Sequence, residues 1–191
     1  MAMPMRWLLT SVRRAEADRR HQAPHVAAAR QPLSETRNPN MQPSFLERPA
    51  FTVVGLEAIF REDEDGYAEL WQRFIPRENE VTGKIDPVVS YGVCIPQADR
   101  TLRYITGFEV NEGATIPDGM TRFRVPAQRY AVFTHTGTAA GISASFQAIH
   151  DHLLADNGLQ AEDGVDLERY DARFLDPFDP TAQMELHIPI H

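Results

Sequence analysis

One order of elements constrains this chain more than any other feature: strand, helix, strand, strand, and then the same order again. The first strand is expected at Phe51–Leu56, introduced by Pro49. A helix follows whose apolar residues Tyr67, Leu70, Trp71, Phe74 and Ile75 recur at one helical face. The acids Glu62, Asp63, Glu64 and Asp65 stand before it, where they complement the helix dipole. Two strands are expected at Val88–Ile95 and Leu102–Val110, joined by a hairpin-like Pro96–Arg100. After a loop containing Gly113, Pro117 and Gly119, Phe123–Pro126 leads into a strand at Tyr130–His135. A second helix presents Ile142, Phe146, Ile149 and Leu153 and stops at Asn157-Gly158. Strands at Asp166–Phe174 and Gln183–Ile190 close the chain. Pro49 and Pro126, Val53 and Tyr130, and Tyr91 and Tyr170 stand about 77 to 79 positions apart, so the repeat is architectural rather than one of sequence identity. The expected class is α+β: a duplicated strand–helix–strand–strand unit with pseudo-twofold symmetry. Two helices cover one face of antiparallel sheets, and the other face curves into a ligand cleft where the halves meet.

The chain of 191 residues suits one ordinary domain. Its single cysteine, Cys94, excludes an internal disulfide framework and fits a reducing, cytoplasmic setting. No apolar run approaches the roughly 18 residues of a membrane-spanning helix. Residues 1–46 lack a sustained apolar period and carry seven Arg against three acids. They read as a disordered extension ahead of a domain at 47–191, with repeat one at about 49–112 and repeat two at about 121–191. Met41, directly before the domain, reads as an alternative start of translation. The net charge of −8 splits into +4 for residues 1–46 and −12 for the rest. A body that acidic suits cationic ligands better than nucleic acid, and acidity also serves solubility.

The chemistry concentrates in Val165–Asp171, where alternation places Glu168 and Tyr170 on one face and Leu167 on the other. A carboxylate on the buried side of a sheet loses hydration, so its pKa rises unless a cation partners it. Aromatic rings around it add cation–π attraction of ~0.5–2 kcal/mol each. Tyr91 and Tyr104, mid-strand, need partners for their hydroxyls, which packing or a ligand pocket would supply. No metal or other cofactor is expected. His150 and His152 are two apart and diverge on a helix, and His135 and His187 lack a third ligand.

Several segments together carry a resemblance: Val53–Leu56, Leu70–Phe74, Tyr91–Val93, Tyr104–Val110, Pro117–Met120, Val125–Tyr130, Phe133–Gly137, Leu167–Tyr170 and Glu185–Ile190. In order and spacing, the run from about Pro49 to Ile190 resembles the GyrI-like small-molecule-binding domain. That domain is also the effector-binding unit of many AraC-type and MerR-type transcription regulators. The resemblance implies an aromatic cleft at the pseudo-twofold axis, with Trp71, Tyr91 and Tyr104 among its walls. It implies that Glu168 of an E-x-Y motif meets a ligand's positive charge beside Tyr170, and that Glu185 is a second acid. His187 stands where an aromatic is common in the last strand. The expected partner is a hydrophobic or cationic small molecule. No pair of short helices with a basic recognition face fits residues 1–46, so a stand-alone effector domain without direct DNA contact is expected. Two alternatives share the same groups: a hydrolase of strained electrophiles using the Glu/Tyr pocket, and a gyrase-binding modulator.

Overall fold

The computed structural model describes residues 42–191 apart from 62, 63 and 65. The acidic run ahead of the first helix therefore lies, except for Glu64, outside the described residues, as does Met41. Eight strands form one antiparallel sheet: β1 Ser44–Arg48, β2 Phe51–Phe60, β3 Ser90–Pro96, β4 Leu102–Val110, β5 Thr121–Val125, β6 Gln128–Thr136, β7 Asp166–Tyr170 and β8 Gln183–Pro189. Helix α1, Tyr67–Phe74, continues as a 3₁₀ turn over Ile75–Glu80. Helix α2, Ile142–Ala148, runs on through a π turn at Ile149–Leu153 into Leu154–Asp156. The α+β class and the doubled strand–helix–strand–strand order are those the sequence implied.

Two strands were not anticipated, and they change the architecture. The order across the sheet is β1-β6-β8-β7-β3-β4-β2-β5. Each repeat opens with a short strand that pairs with the other repeat: Arg48 faces Gln128, and Val125 faces Phe51. Pro49 and Pro126 sit at the two crossings, where a residue without an N–H ends one ladder and lets the chain change partner. The boundary expected between residues 46 and 47 thus falls inside β1. Ser44–Leu46 gave no strand signal because β1 is exposed for most of its length and is held by backbone pairing.

The halves meet at β3 and β7, where Gly92 stands opposite Glu168 and Tyr91 opposite Arg169. Parity then decides which side chains share a face. Tyr104, Phe108, Cys94 and Tyr170 fall beneath the helices, in two clusters built with Leu70, Phe74, Ile142 and Ile149. On the other face Phe51, Val53, Tyr91, Val93, Ile105, Tyr130, Val132 and Leu167 form a third cluster. Residues from both flanks of the sheet pack there against its centre, which requires strong curling. Arg48 of flanking β1 hydrogen-bonds Tyr91 of central β3 at 3.0 Å, so the curl closes across four intervening ladders. Gly55 and Gly107 face each other in β2 and β4, and a side chain on either would strike the opposite backbone.

Candidate functional site

The E-x-Y segment is β7, and its carboxylate points to the helix side. Glu168 is 8% exposed. Its Oε2 accepts hydrogen bonds from Tyr104 Oη at 2.5 Å and from Tyr170 Oη at 2.8 Å. Tyr104 Oη in turn accepts the indole N–H of Trp71 at 2.9 Å. Rings enclose this group: Trp71 meets Tyr170 edge-on at 5.1 Å, Tyr67 meets Tyr104 at 5.0 Å, and Tyr170 meets Phe174 at 5.3 Å. Trp71 from α1 and Phe146 from α2 each pack against both helix-side clusters, so the two helices converge above the carboxylate. Trp71, Tyr67 and Phe146 are only half-buried and form the outer layer.

Burial raises the Glu168 pKa above the ordinary carboxylate value, and the two phenol bonds oppose the rise. Burial, and next the Glu168 charge, push both phenols well above their usual range, so Tyr104 and Tyr170 remain hydrogen-bond donors. Among the described residues no Lys, Arg or His pairs with Glu168; the ion pairs lie elsewhere. Space for the carboxylate comes from Gly92. A Cβ there would collide with Tyr104 Oη and Glu168 Oε2. Opposite Gly92 on its other side, Thr106 is fully buried with its hydroxyl unpartnered.

The structure therefore brings Glu168, Tyr170, Tyr104 and Trp71 together and separates them from Tyr91, Glu185 and His187. The uncompensated carboxylate lies on the helix face and not on the face away from the helices, where the cleft was expected. Tyr91 pairs with Arg169, and Arg169 with Glu185, so all three point to the opposite side. There Arg48 reaches Glu109 at 2.5 Å. Glu185 accepts from Arg173 at 2.6 Å, from Arg169 at 3.3 Å and from His187 Nε2 at 3.1 Å. The His187 bond and these guanidiniums hold the Glu185 pKa down at about 2, so it is a compensated anion that does not share a proton with Glu168. Burial lowers the His187 pKa, which makes its ring neutral, donating from Nε2.

Sequence reasoning missed Tyr67, Phe146, Phe174 and Gly92 as parts of the helix-side site. Tyr67 and Phe146 carried only the apolar-face signal of helix core, and Gly92 becomes visible only once the β3–β7 register is known. His135 engages Ser145 Oγ through Nδ1 at 2.8 Å and the Thr138 carbonyl through Nε2 at 3.2 Å, bracing α2 against β6. His150 meets Asp166 at 3.3 Å. Among the described residues no three His, Cys, Asp or Glu side chains are grouped to hold a metal, and no helix is long and apolar enough to cross a membrane.

Comparison with known proteins bears on the family and the fold. Residues 45–190 match the family model of the integron-associated effector binding protein, Cass2. The chain is 54% identical over 159 residues to the transcriptional regulator BrlR of Pseudomonas aeruginosa, covering 83% of this chain and 59% of BrlR. It thus spans somewhat more than half the length of that relative. Among solved structures, SAV2435 bound to tetraphenylphosphonium superposes with a TM-score of 0.66 at 17% identity, over 79% of this chain and 94% of that one. The EcmrR C-terminal domain gives 0.59 at 14% identity, over 79% and 98%. At those identities the likeness establishes the fold.

Proposed function

The chain belongs to the integron-associated effector-binding family, and from that premise we propose that its helix-side site captures lipophilic cations. The observation that carries the reading is the state of Glu168: a buried carboxylate held by two phenols and, among the described residues, no cation, beneath half-buried aromatic rings. Burying an ionised carboxylate without a countercharge is costly, and a cation with apolar substituents removes that cost. The rings of Trp71, Tyr67 and Phe146 supply apolar contact and their π faces. Discrimination rests on charge and on breadth of contact.

Entry requires the outer rings to part. Trp71 leaves Tyr104 Oη, while Tyr104 and Tyr170 keep the carboxylate aimed at the ligand. Tetraphenylphosphonium, the molecule bound in the SAV2435 structure, is the suitable probe because its charge is shielded by four rings. The domain reads ligands without contacting nucleic acid itself. Residues 47–191 carry twice as many acids as bases, which disfavours a phosphate backbone. Calorimetric titration with tetraphenylphosphonium tests the reading: saturable one-to-one binding lost in Glu168→Gln supports it, and equal binding by both proteins rejects it.

A further inference from the structure

We propose that the helix-side site selects protonated amines carrying aromatic groups over quaternary and guanidinium cations, through the uncommitted oxygen of Glu168. This selectivity rests on the cation reading of the same site and names the ligand class that the site takes.

The two carboxylate oxygens are used unequally. Tyr104 and Tyr170 both donate to Oε2, and Oε1 accepts no hydrogen bond among the described residues. Oε2 is also the oxygen turned over Gly92, where a Cβ would strike it. Three side-chain atoms are fully buried without a partner among the described residues: Arg48 Nε, Thr106 Oγ1 and His187 Nδ1. Oε1, equally unpartnered, is not one of them, so it keeps accessible surface. That surface opens on the helix face, because Glu168 projects there with Tyr104 and Tyr170. It lies where the half-buried Trp71 of α1 and Phe146 of α2 converge.

A free carboxylate oxygen rewards a donor that also carries the charge. An N–H⁺ donor closes to about 2.7–2.9 Å from an anionic oxygen and brings its charge that near. The carbon substituents of a quaternary cation stop at a contact distance of about 3.5–4.0 Å, and the charge lies behind them. Such a cation donates nothing, and its attraction falls with the longer separation. A guanidinium has donors, but its fork matches both oxygens of a carboxylate, and Oε2 already holds two phenols. Its remaining N–H groups would enter the ring-lined space without acceptors, a cost that a single N–H avoids. Aromatic substituents on the amine then meet Trp71, Tyr67 and Phe146.

Calorimetric titration at pH 7 with three ligands of one skeleton tests this selectivity. They are N,N-dimethyl-4-phenylbenzylamine, protonated at that pH, its N-methyl quaternary salt, and 4-phenylbenzylguanidine; tetraphenylphosphonium is run alongside. The amine is expected to bind at least about fivefold tighter than either analogue, against the extra apolar methyl group of the quaternary salt. In Glu168→Gln the phenols keep the amide oxygen, so an amide N–H₂, itself a donor, takes the place of Oε1. The preference for amine over quaternary salt should then fall below about twofold. A wild-type ratio below about fivefold overturns the selectivity whether or not the variant folds, as does a preference that survives in Glu168→Gln. Saturable tetraphenylphosphonium binding without an amine preference removes this selectivity alone, whereas no binding by any of the four ligands removes the cation site with it.

Discussion

Replacing Glu168 with Gln removes one charge and almost nothing else. The amide oxygen can still accept from Tyr104 and Tyr170, so the phenols keep their partner. A cation about 5–6 Å from the carboxylate at an effective dielectric of about 20 gains about 3 kcal/mol, roughly a hundredfold in affinity. Part of that gain is spent ionising a group whose pKa burial has raised, so we expect a loss of about 30- to 100-fold for tetraphenylphosphonium. The neutral triphenylphosphine oxide should bind both proteins alike. Stability should move the other way. A carboxyl whose folded pKa exceeds its unfolded value makes the protein less stable as pH rises from about 4.5 through the folded pKa. Gln lacks that slope, so the variant should melt at or above the wild-type temperature at neutral pH. Calorimetry with both ligands, together with thermal denaturation, measures all three effects. A loss below threefold for the cation, or an equal loss for the neutral analogue, would refute the charge-reading role.

Titrating pH should give the same answer without mutation: tetraphenylphosphonium affinity is expected to fall about tenfold per unit below the Glu168 pKa, and Tyr170→Phe, which deletes a phenol bond favouring the ionised form, should move that midpoint upward. Gly92→Ala forces a methyl group onto Tyr104 Oη and Glu168; we expect destabilisation of about 1–3 kcal/mol by denaturant unfolding, with at least tenfold weaker cation binding. Glu185→Gln acts on the other face. Its pKa of about 2 means stability present above pH 4.5 and lost as pH falls toward 2; discounted for partial solvent exposure, the substitution should cost about 1–2 kcal/mol at pH 7, little at pH 2, and nothing in tetraphenylphosphonium affinity.

Much of this fold was legible because its signals are local. The apolar faces of Tyr67–Phe74 and Ile142–Leu153 and the alternation around Glu168 depend on neighbours within one or two turns. The leading strands depend on partners far away. Ser44–Arg48 carries no alternation, and its reason for being extended is β6, 80 to 88 residues later. The site was half legible for the same reason. Alternation put Glu168 and Tyr170 on one face, but which of Tyr91, Tyr104, Glu185 and His187 join them depends on the pairing of Gly92 with Glu168 and of Arg169 with Glu185. A motif lists its residues without that register.

The register also explains how one strand serves two chemistries. Along β7 the side chains alternate between a carboxylate without a countercharge, Glu168, and a guanidinium with two, Arg169 bonded to Asp171 and Glu185. Because the sheet is curled and both faces are buried, each environment is fixed separately: phenols and rings on one side, ion pairs on the other. A slip of one residue at the β3–β7 seam would place Arg169 beneath Trp71 and Glu168 among Arg48 and Arg173, abolishing the uncompensated anion. Gly92 guards against it. It is the position in β3 that can face Glu168, since any side chain there would occupy the space taken by the carboxylate and Tyr104. The glycine, as much as the acid itself, gives the carboxylate its place on the helix face.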